Sequence, residues 1–377
     1  MNHDVITEQI KQWLMRPVPS GGYNNVAEFD CSLASDLGLK RSENQDRVAL
    51  LKAKVSASKY FVVGVLCDGM GGMTNGADCA STAMSVFLSS CIKHRGQHAK
   101  ERLLISAESA NKEVHKLYGG NGGCTLSAFV IDSELNFFAV NVGDSRIYVE
   151  RSGALNQITT DDTIAGQLNR DDNELGGKLL QYVGMGEDME PHVFETESFL
   201  GANKLLISSD GAHYIHQETL EQIIVHKADS DTLARRLISL SKWCGGHDNT
   251  SVMVISDLSK IAGASVNLPS GAIEVSDHIS DMRVLGIPMV KHNVFNKNDN
   301  ANKDLDKLGD SADENDEVAD EKTEITEEEC KSEKSAKGRT SSRKNKKEKP
   351  AEKPQLRMDS GREHTLITIH PKNTFAL

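Results

Sequence analysis

Five aspartates, each at the mouth of a predicted strand and each beside a turn-forming residue, constrain this chain more than any other feature. They are Asp46 in Arg41-Ser-Glu-Asn-Gln-Asp46, Asp68 in Cys67-Asp68-Gly-Met-Gly-Gly72, Asp144 in Asn141-Val-Gly-Asp144-Ser-Arg146, Asp210 in Ser208-Ser-Asp210-Gly211, and Asp248 in His247-Asp248-Asn-Thr-Ser251. Carboxylates gathered from such distant positions repel one another unless a cation sits between them, so the pattern predicts a hard divalent metal cluster used for chemistry. A single Asp-Gly turn would read as a capped strand end; five aspartates at strand mouths in one chain do not.

The chain has 377 residues, 38% of them hydrophobic, enough for a sizeable core in one large domain or two small ones. Its net charge of -12 argues against a general nucleic-acid binder, because a polyanion would meet a like-signed field. The seven cysteines form no CxxC pair and are odd in number, so they read as buried, reduced thiols. Neither a charged leader with an apolar core nor a run near the roughly 18 apolar residues of a membrane span is present, and a cytoplasmic protein without a span is expected.

Residues Val5 to Met15 place Ile6, Ile10, Trp13 and Leu14 at helical spacing ahead of Pro17 and Pro19, predicting a short N-terminal helix or arm over 1–25. Between 26 and 258, strand-like runs alternate with amphipathic helices. Strands are expected at Tyr60 to Cys67, Leu126 to Asp132, Leu135 to Val142 with Arg146 to Glu150, Lys204 to Ser208, and Ser251 to Ser256. Helices are expected at Asn75 to Arg95, at His98 to Tyr118 with Leu103, Leu104, Ala107, Ala110, Val114 and Leu117 on the buried face, and at Asp231 to Trp243 with Leu233, Leu237, Leu240 and Trp243. Short turns such as Asp132-Ser-Glu134 favour hairpins, and hairpins with flanking helices predict an α+β sandwich. Residues 259–300 lack periodicity and read as a linker. Beyond them, Asp304 to Glu329 holds thirteen acidic and two basic residues and Lys331 to Lys349 nine basic and two acidic, the composition of a disordered tail over 301–377. Within it, His364 to His370 alternates like a strand that forms on binding a protein partner.

Gly69 to Gly76 lacks the Gly-Lys-Ser/Thr ending of a phosphate-binding loop and the spacing of a dinucleotide fingerprint, and no stretch has the twelve-residue EF-hand pattern. Arg41 to Asp46, Asp68-Gly-Met-Gly-Gly, Gly122-Gly-Cys-Thr125, Asn141-Val-Gly-Asp-Ser-Arg146, Ser209-Asp-Gly211 and Asp248-Asn-Thr-Ser251 do follow the order seen in metal-dependent protein phosphatases of type 2C. The chain resembles their bacterial form over about residues 26 to 257. That resemblance implies a four-layer αββα sandwich of two antiparallel sheets flanked by helices. It also implies hydrolysis of phosphoserine and phosphothreonine in proteins, the products of a Ser/Thr kinase, by water activated at a binuclear Mn²⁺ or Mg²⁺ centre.

Carried over by position, Asp68 resembles the carboxylate bridging both ions, with the Gly69 carbonyl as a further ligand. Asp210 and Asp248 resemble ligands of the first ion, Asp46 a ligand of the second through water, and Asp144 the anchor of a third, weaker site. Arg41 is similar to the arginine that grips phosphate, a role its planar fork suits. Met70 stands where many eukaryotic relatives carry a histidine proposed as the general acid, so either a metal-bound water supplies the proton or a nearby histidine does, with His213 and His247 as candidates. Gln45 replaces a glutamate of some relatives, and Tyr214 an aspartate that often supports the third ion. Those departures motivate a second reading, a pseudophosphatase that binds phosphoproteins as a scaffold. Residues 156–194 correspond to the family's variable flap, in which Asp161-Asp162, Gly176-Gly177 and Gly184-Met-Gly186 predict either a mobile, acidic loop that chooses substrates or, equally, a solvated face.

Overall fold

In the computed structural model the described residues are 3–56, 59–70, 75–167, 179–195, 201–264, 268–269 and 271–286. The chain runs α1 (His3–Leu14), β1 (Gly21–Val26), β2 (Cys31–Asp36), β3 (Arg47–Lys54), β4 (Tyr60–Cys67), α2 (Gly76–Lys93), α3 (Ala99–Tyr118), β5 (Leu126–Asp132), β6 (Phe137–Val142), β7 (Arg146–Arg151), β8 (Ala154–Gln157), α4 (Ile164–Gln167), β9 (His192–Phe194) and β10 (Lys204–Ser208). It continues through α5 (Asp210–His213), α6 (Gln217–Val225), α7 (Ser230–Trp243), β11 (Thr250–Ile255), α8 (Ser259–Gly263), β12 (Ile273–Asp277) and β13 (Asp281–Val284). The strands form two antiparallel sheets, ordered β1-β2-β11-β10-β7-β8 and β13-β12-β3-β4-β5-β6-β9.

Strand periodicity of two explains the layering. On β4, Val62 and Leu66 face a core between the sheets with Leu33, Leu50, Phe129, Ile147, Ile207 and Met253, while Phe61, Val63 and Val65 face α2 and α3. On β10, Leu205 and Ile207 point into that central core and Leu206 points out to α6 and α7. Each fully buried side chain of this kind contributes about 1.5–3 kcal/mol. The result is the expected αββα sandwich, with every layer sealed by alternate residues of the same strands.

The helices are bounded by local chemistry. The carboxylate of Asp229 accepts the Thr232 amide at 2.7 Å to start α7, and Gly119, with φ of 57°, ends α3 in the left-handed region that glycine tolerates. Two helix faces differ from expectation. Trp243 is 91% exposed and Leu117 is exposed, and the buried stripes are completed by Ile238 and Ser241 on α7 and by Ser106 and Asn111 on α3.

Both expected boundaries of the domain move. Ile6, Ile10 and Leu14 of α1 are buried against α2, and β1 is the edge strand of the first sheet, so residues 3–26 belong to the sandwich and not to an arm. Residues 273–284, read as linker, form the β12–β13 hairpin that extends the second sheet beside β3. These two additions hold each other: Arg16 at the end of α1 donates from both Nη atoms to Asp277 at 2.8 and 3.0 Å, and Lys52 of β3 joins Glu274 of β12 to Glu28. Pairs separated by more than 200 residues leave no periodic trace. Of the cysteines described, five are buried as expected and Cys244 is exposed. Gly71, Gly72, Gly176, Gly177 and the tail over 301–377, with Cys330, lie outside the described residues. No helix among the described residues is long and apolar enough to cross a membrane.

Candidate active site

Antiparallel register carries the five aspartates to one edge of the sandwich. The start of β3 pairs with the end of β4 (Arg47 with Cys67), and the start of β5 with the end of β6 (Leu126 with Val142). In the first sheet the end of β10 meets the starts of β7 and β11, through Ser208 with Arg146 and with Val252. Asp46, Asp68, Asp144, Asp210 and Asp248 therefore leave neighbouring strand ends on the same side.

Asp68 is the centre of the group. Burial, and the negative charges of Asp46, Asp210, Asp144 and Asp248, all push its carboxyl well above the usual carboxylate range. Thr125, from the Gly-Gly-Cys-Thr segment, fixes it: the Asp68 amide donates to Thr125 Oγ1 at 3.0 Å, and the Thr125 amide donates to the Asp68 carbonyl at 2.8 Å. The next residue must be glycine, since a Cβ on Gly69 would collide with the backbone of Gly76. The Met70 amide donates to the Gly123 carbonyl at 3.1 Å, so the turn continues as a short ladder.

Asp46 is buried beside this turn. Its Oδ2 accepts from Ser209 Oγ at 2.9 Å, and its Oδ1 is buried without a partner. Burial, with the charges of Asp210 and Asp248, pushes it up to about 7. Asp210 opens the short helix α5, and its Oδ1 is likewise buried and unpartnered. Burial and the charge of Asp248 raise it, while hydrogen bonds from Asp68 and the Gly211 amide lower it. Asp144 is pushed up to about 7 by burial and by Asp210 and Asp161. Among the described residues, no three His, Cys, Asp or Glu side chains close on one point as a complete ion cage; the carboxylates instead surround Asp68 with uncompensated negative charge.

Arg41 supplies the nearest countercharge. Its Nη2 donates to Asp248 Oδ2 at 2.6 Å, and that bond, together with the charges of Asp248, Asp210 and Asp68, raises its already high affinity for a proton. The guanidinium stays exposed, with donors left over for an anion. Its loop is held by a residue to which sequence reasoning assigned no role. Asn249 donates from Nδ2 to the carbonyls of Leu37 (2.9 Å) and Glu43 (3.0 Å), and its Oδ1 accepts the Gln45 amide at 2.9 Å. Arg47 adds donations to the carbonyls of Asn44 and Asp46 at 3.0 and 2.7 Å. The only signal for Asn249 was its place inside the Asp-Asn-Thr-Ser segment.

The two candidate histidines are placed differently. His213 is buried, bonded through Nδ1 to Ser208 Oγ at 3.0 Å, and burial with the nearby Arg146 charge keeps it neutral, well below the usual histidine range. The exposed ring of His247 meets Tyr214 edge-on at 6.2 Å, and Tyr214 donates its hydroxyl to the Ser241 carbonyl at 3.0 Å. Tyr214 thus anchors α5 to α7.

The acidic pair expected to be mobile is instead fixed. Asp161 accepts from Arg146 Nε and Nη2 at 2.7–3.0 Å. The buried Asp162 accepts the Gly143 amide at 2.9 Å, together with Gln181 and His192. Asp161 and Asp162 thereby grip the segment on both sides of Asp144. Gly184 and Gly186 are also held, their amides donating to Asn111 Oδ1 at 2.8 and 3.3 Å.

No family model matches the chain. The protein phosphatase PhpP of Streptococcus pneumoniae is 26% identical over 246 residues, 60% of this chain and 97% of that relative. The serine/threonine protein phosphatase PstP of Mycobacterium tuberculosis is 27% identical over 257 residues, 64% of this chain and 48% of that one. The fold is similar to the crystal structure of the PPM Ser-Thr phosphatase MsPP from Mycobacterium smegmatis, with a TM-score of 0.51 and 27% identity over 60% of this chain and 97% of that one. The two-sheet architecture, the aspartates brought to one edge and these relatives agree: the chain is similar to the metal-dependent protein phosphatases of type 2C, in their bacterial form.

Proposed function

We propose that the protein hydrolyses phosphoserine and phosphothreonine in proteins phosphorylated by a Ser/Thr kinase, at a binuclear Mn²⁺ or Mg²⁺ centre. One observation carries this reading: aspartates from four other strand ends gather about a fifth, Asp68, whose carboxyl is raised by burial and by their charges. The donors fit a hard divalent cation. They are all oxygens, and Asp46 Oδ1 and Asp210 Oδ1 are buried with no other partner.

In this reading Asp68 and the Gly69 carbonyl would hold the ions at the centre of the cluster. Asp210 and Asp248 complete the side-chain ligands of the first ion, Asp46 serves the second, and Asp144 anchors a third. Bound there, divalent ions would supply positive charge for the phosphoryl oxygens and a lowered pKa for a water nucleophile.

The remaining residues orient and position. Arg41 offers its free guanidinium donors to the phosphate while Asp248 holds the fork, so the substrate ester is presented over Asp68. Asn249 keeps the Arg41 loop at a fixed distance from Asp248, and Thr125 keeps Asp68 at its strand end. Buried, neutral His213 donates no proton to the leaving alkoxide.

The test is turnover of a phosphothreonine peptide with millimolar Mn²⁺. Activity should vanish in chelator and fall at least a thousandfold in Asp68→Asn and Asp210→Asn, on the scale of about 10³ seen for lost electrostatic stabilisation. Undiminished activity in either variant would refute the assignment.

A further inference from the structure

Trp243 is 91% exposed, although tryptophan is among the residues proteins bury most on average. It does not stand alone. Leu39, 61% exposed, and Tyr214, 44% exposed, are carried by segments joined to the same stretch, residues 243–248.

The connections are specific. The Leu39 amide donates to the Gly246 carbonyl at 2.8 Å, and the Leu39 side chain lies over Gly246, where a Cβ would come within 2.9 Å of its Cγ. His247 meets Tyr214 edge-on at 6.2 Å, and Tyr214 is tied to α7 at Ser241. Trp243 ends α7, from which the chain turns directly through Cys244 and two glycines to Asp248. Asp248 in turn holds Arg41, two residues beyond Leu39. Leu39, Tyr214 and Trp243, an exposed apolar shelf, are thus all carried on or against residues 243–248, the connection that leads to Asp248 and through it to Arg41.

We propose that this shelf is the polypeptide-binding part of the site. Its occupant is a substrate segment carrying a bulky aliphatic or aromatic residue near the phosphorylated one. The inference rests on the hydrolase reading above and adds the substrate class. Continuity with Arg41 selects the occupant: a phosphate held at Arg41 brings flanking residues onto the shelf, where an extended chain advances about 3.3 Å per residue. Tryptophan and tyrosine suit the role because they present large, rigid contact area at low entropic cost. Nothing within the described fold uses the Trp243 indole.

The test compares two phosphothreonine peptides of equal charge, one flanked by leucine and phenylalanine and one by serine, with p-nitrophenyl phosphate as a small reference. Trp243→Ala and Leu39→Ser alter exposed side chains outside the catalytic cluster, so all variants should fold. Each should raise KM for the apolar-flanked peptide about tenfold, the lower end for an apolar side chain lost from its contact. The kcat for that peptide and turnover of the other two substrates should stay unchanged. Binding is read independently of turnover. The chain has two tryptophans, and the apolar-flanked peptide should shift the emission to the blue in the wild type and not in Trp243→Phe. Unchanged KM with no emission shift overturns the shelf, as does an equal effect on all three substrates. Failure of every substrate to turn over with Mn²⁺ overturns the hydrolase reading instead, and the emission shift still decides the shelf.

Discussion

Thr125 and Asp68 are locked in both directions, the Asp68 amide donating to the threonine hydroxyl and the threonine amide donating to the Asp68 carbonyl. The same hydroxyl shares a hydrogen bond of 2.7 Å with Ser145 Oγ, next to Asp144, so one small side chain ties together the two strand ends that carry Asp68 and Asp144. Thr125→Val keeps the volume and removes the acceptor. It should cost about 1–3 kcal/mol by leaving the Asp68 amide unpaired, and it should reduce kcat with little change in KM. Thr125→Ser should restore both. Urea unfolding with steady-state kinetics checks this, and a Val variant equal to wild type in both would show that the lock is dispensable.

Asn249 is the second residue whose loss should matter more than its place in the sequence suggests. Asn249→Ala leaves two carbonyls and the Gln45 amide without their side-chain partner, at about 1–3 kcal/mol for each group left buried. Because the freed loop carries Arg41, KM for a phosphopeptide should rise by about tenfold or more, a 1.4 kcal/mol effect or larger. Asn249→Asp, which keeps an acceptor for Gln45, should recover part of the stability. A variant that loses stability without any change in KM would separate the loop from substrate binding.

The sandwich was readable because the unbroken apolar runs of β4 and β10, and the turn at Asp132, report directly on strands with two buried faces. The aspartates were readable because turn chemistry marks strand ends one at a time. What could not be read was whatever depends on pairs distant in sequence. Arg16 with Asp277 makes the first helix and the last hairpin part of the domain, yet neither segment carries a pattern that implies the other. Asp161 and Asp162 suggested a solvated acidic loop, since sequence counts charges without showing that Arg146 and the Gly143 amide neutralise them. His213 and His247 were nominated by adjacency to Asp210 and Asp248, and adjacency does not fix direction: a residue three positions along a helix turn points elsewhere.

His278 should make stability depend on pH. It is buried in the β12–β13 turn with neither ring nitrogen partnered. Burial, with the charges of Arg47 and Arg16, outweighs Asp277 and brings it down to about 4. In the unfolded chain histidine titrates near 6.5. Between those values the unfolded state binds a proton that the folded state refuses, so stability falls as pH falls from about 6.5 to about 4, by up to about 3 kcal/mol. His278→Gln removes this titration while the carboxylates remain. The stability difference between variant and wild type should therefore shift toward the variant by that amount between pH 7 and pH 4.5. A difference that does not change with pH would mean that His278 takes up its proton over the same pH range in the folded and the unfolded chain.

The sharpest consequence of the aspartate cluster concerns the metal-free protein. Burial and four like charges act against an ionised Asp68, so in chelator the site stores repulsion that Asp68→Asn relieves. The variant should therefore melt above wild type in chelator while being inactive, an inversion that a purely structural carboxylate would not give. Added Mn²⁺ should reverse the order. At a hundredfold excess over Kd, binding contributes about 2.7 kcal/mol, or about 5–10 °C for a domain of this size. That gain should appear in the wild type and largely disappear in Asp68→Asn. Calorimetry or thermal-shift measurements in chelator and in millimolar Mn²⁺ provide all four numbers. If wild type melts at the same temperature in both, the aspartates hold no ion, the hydrolase reading falls, and a phosphoprotein-binding scaffold becomes the better description.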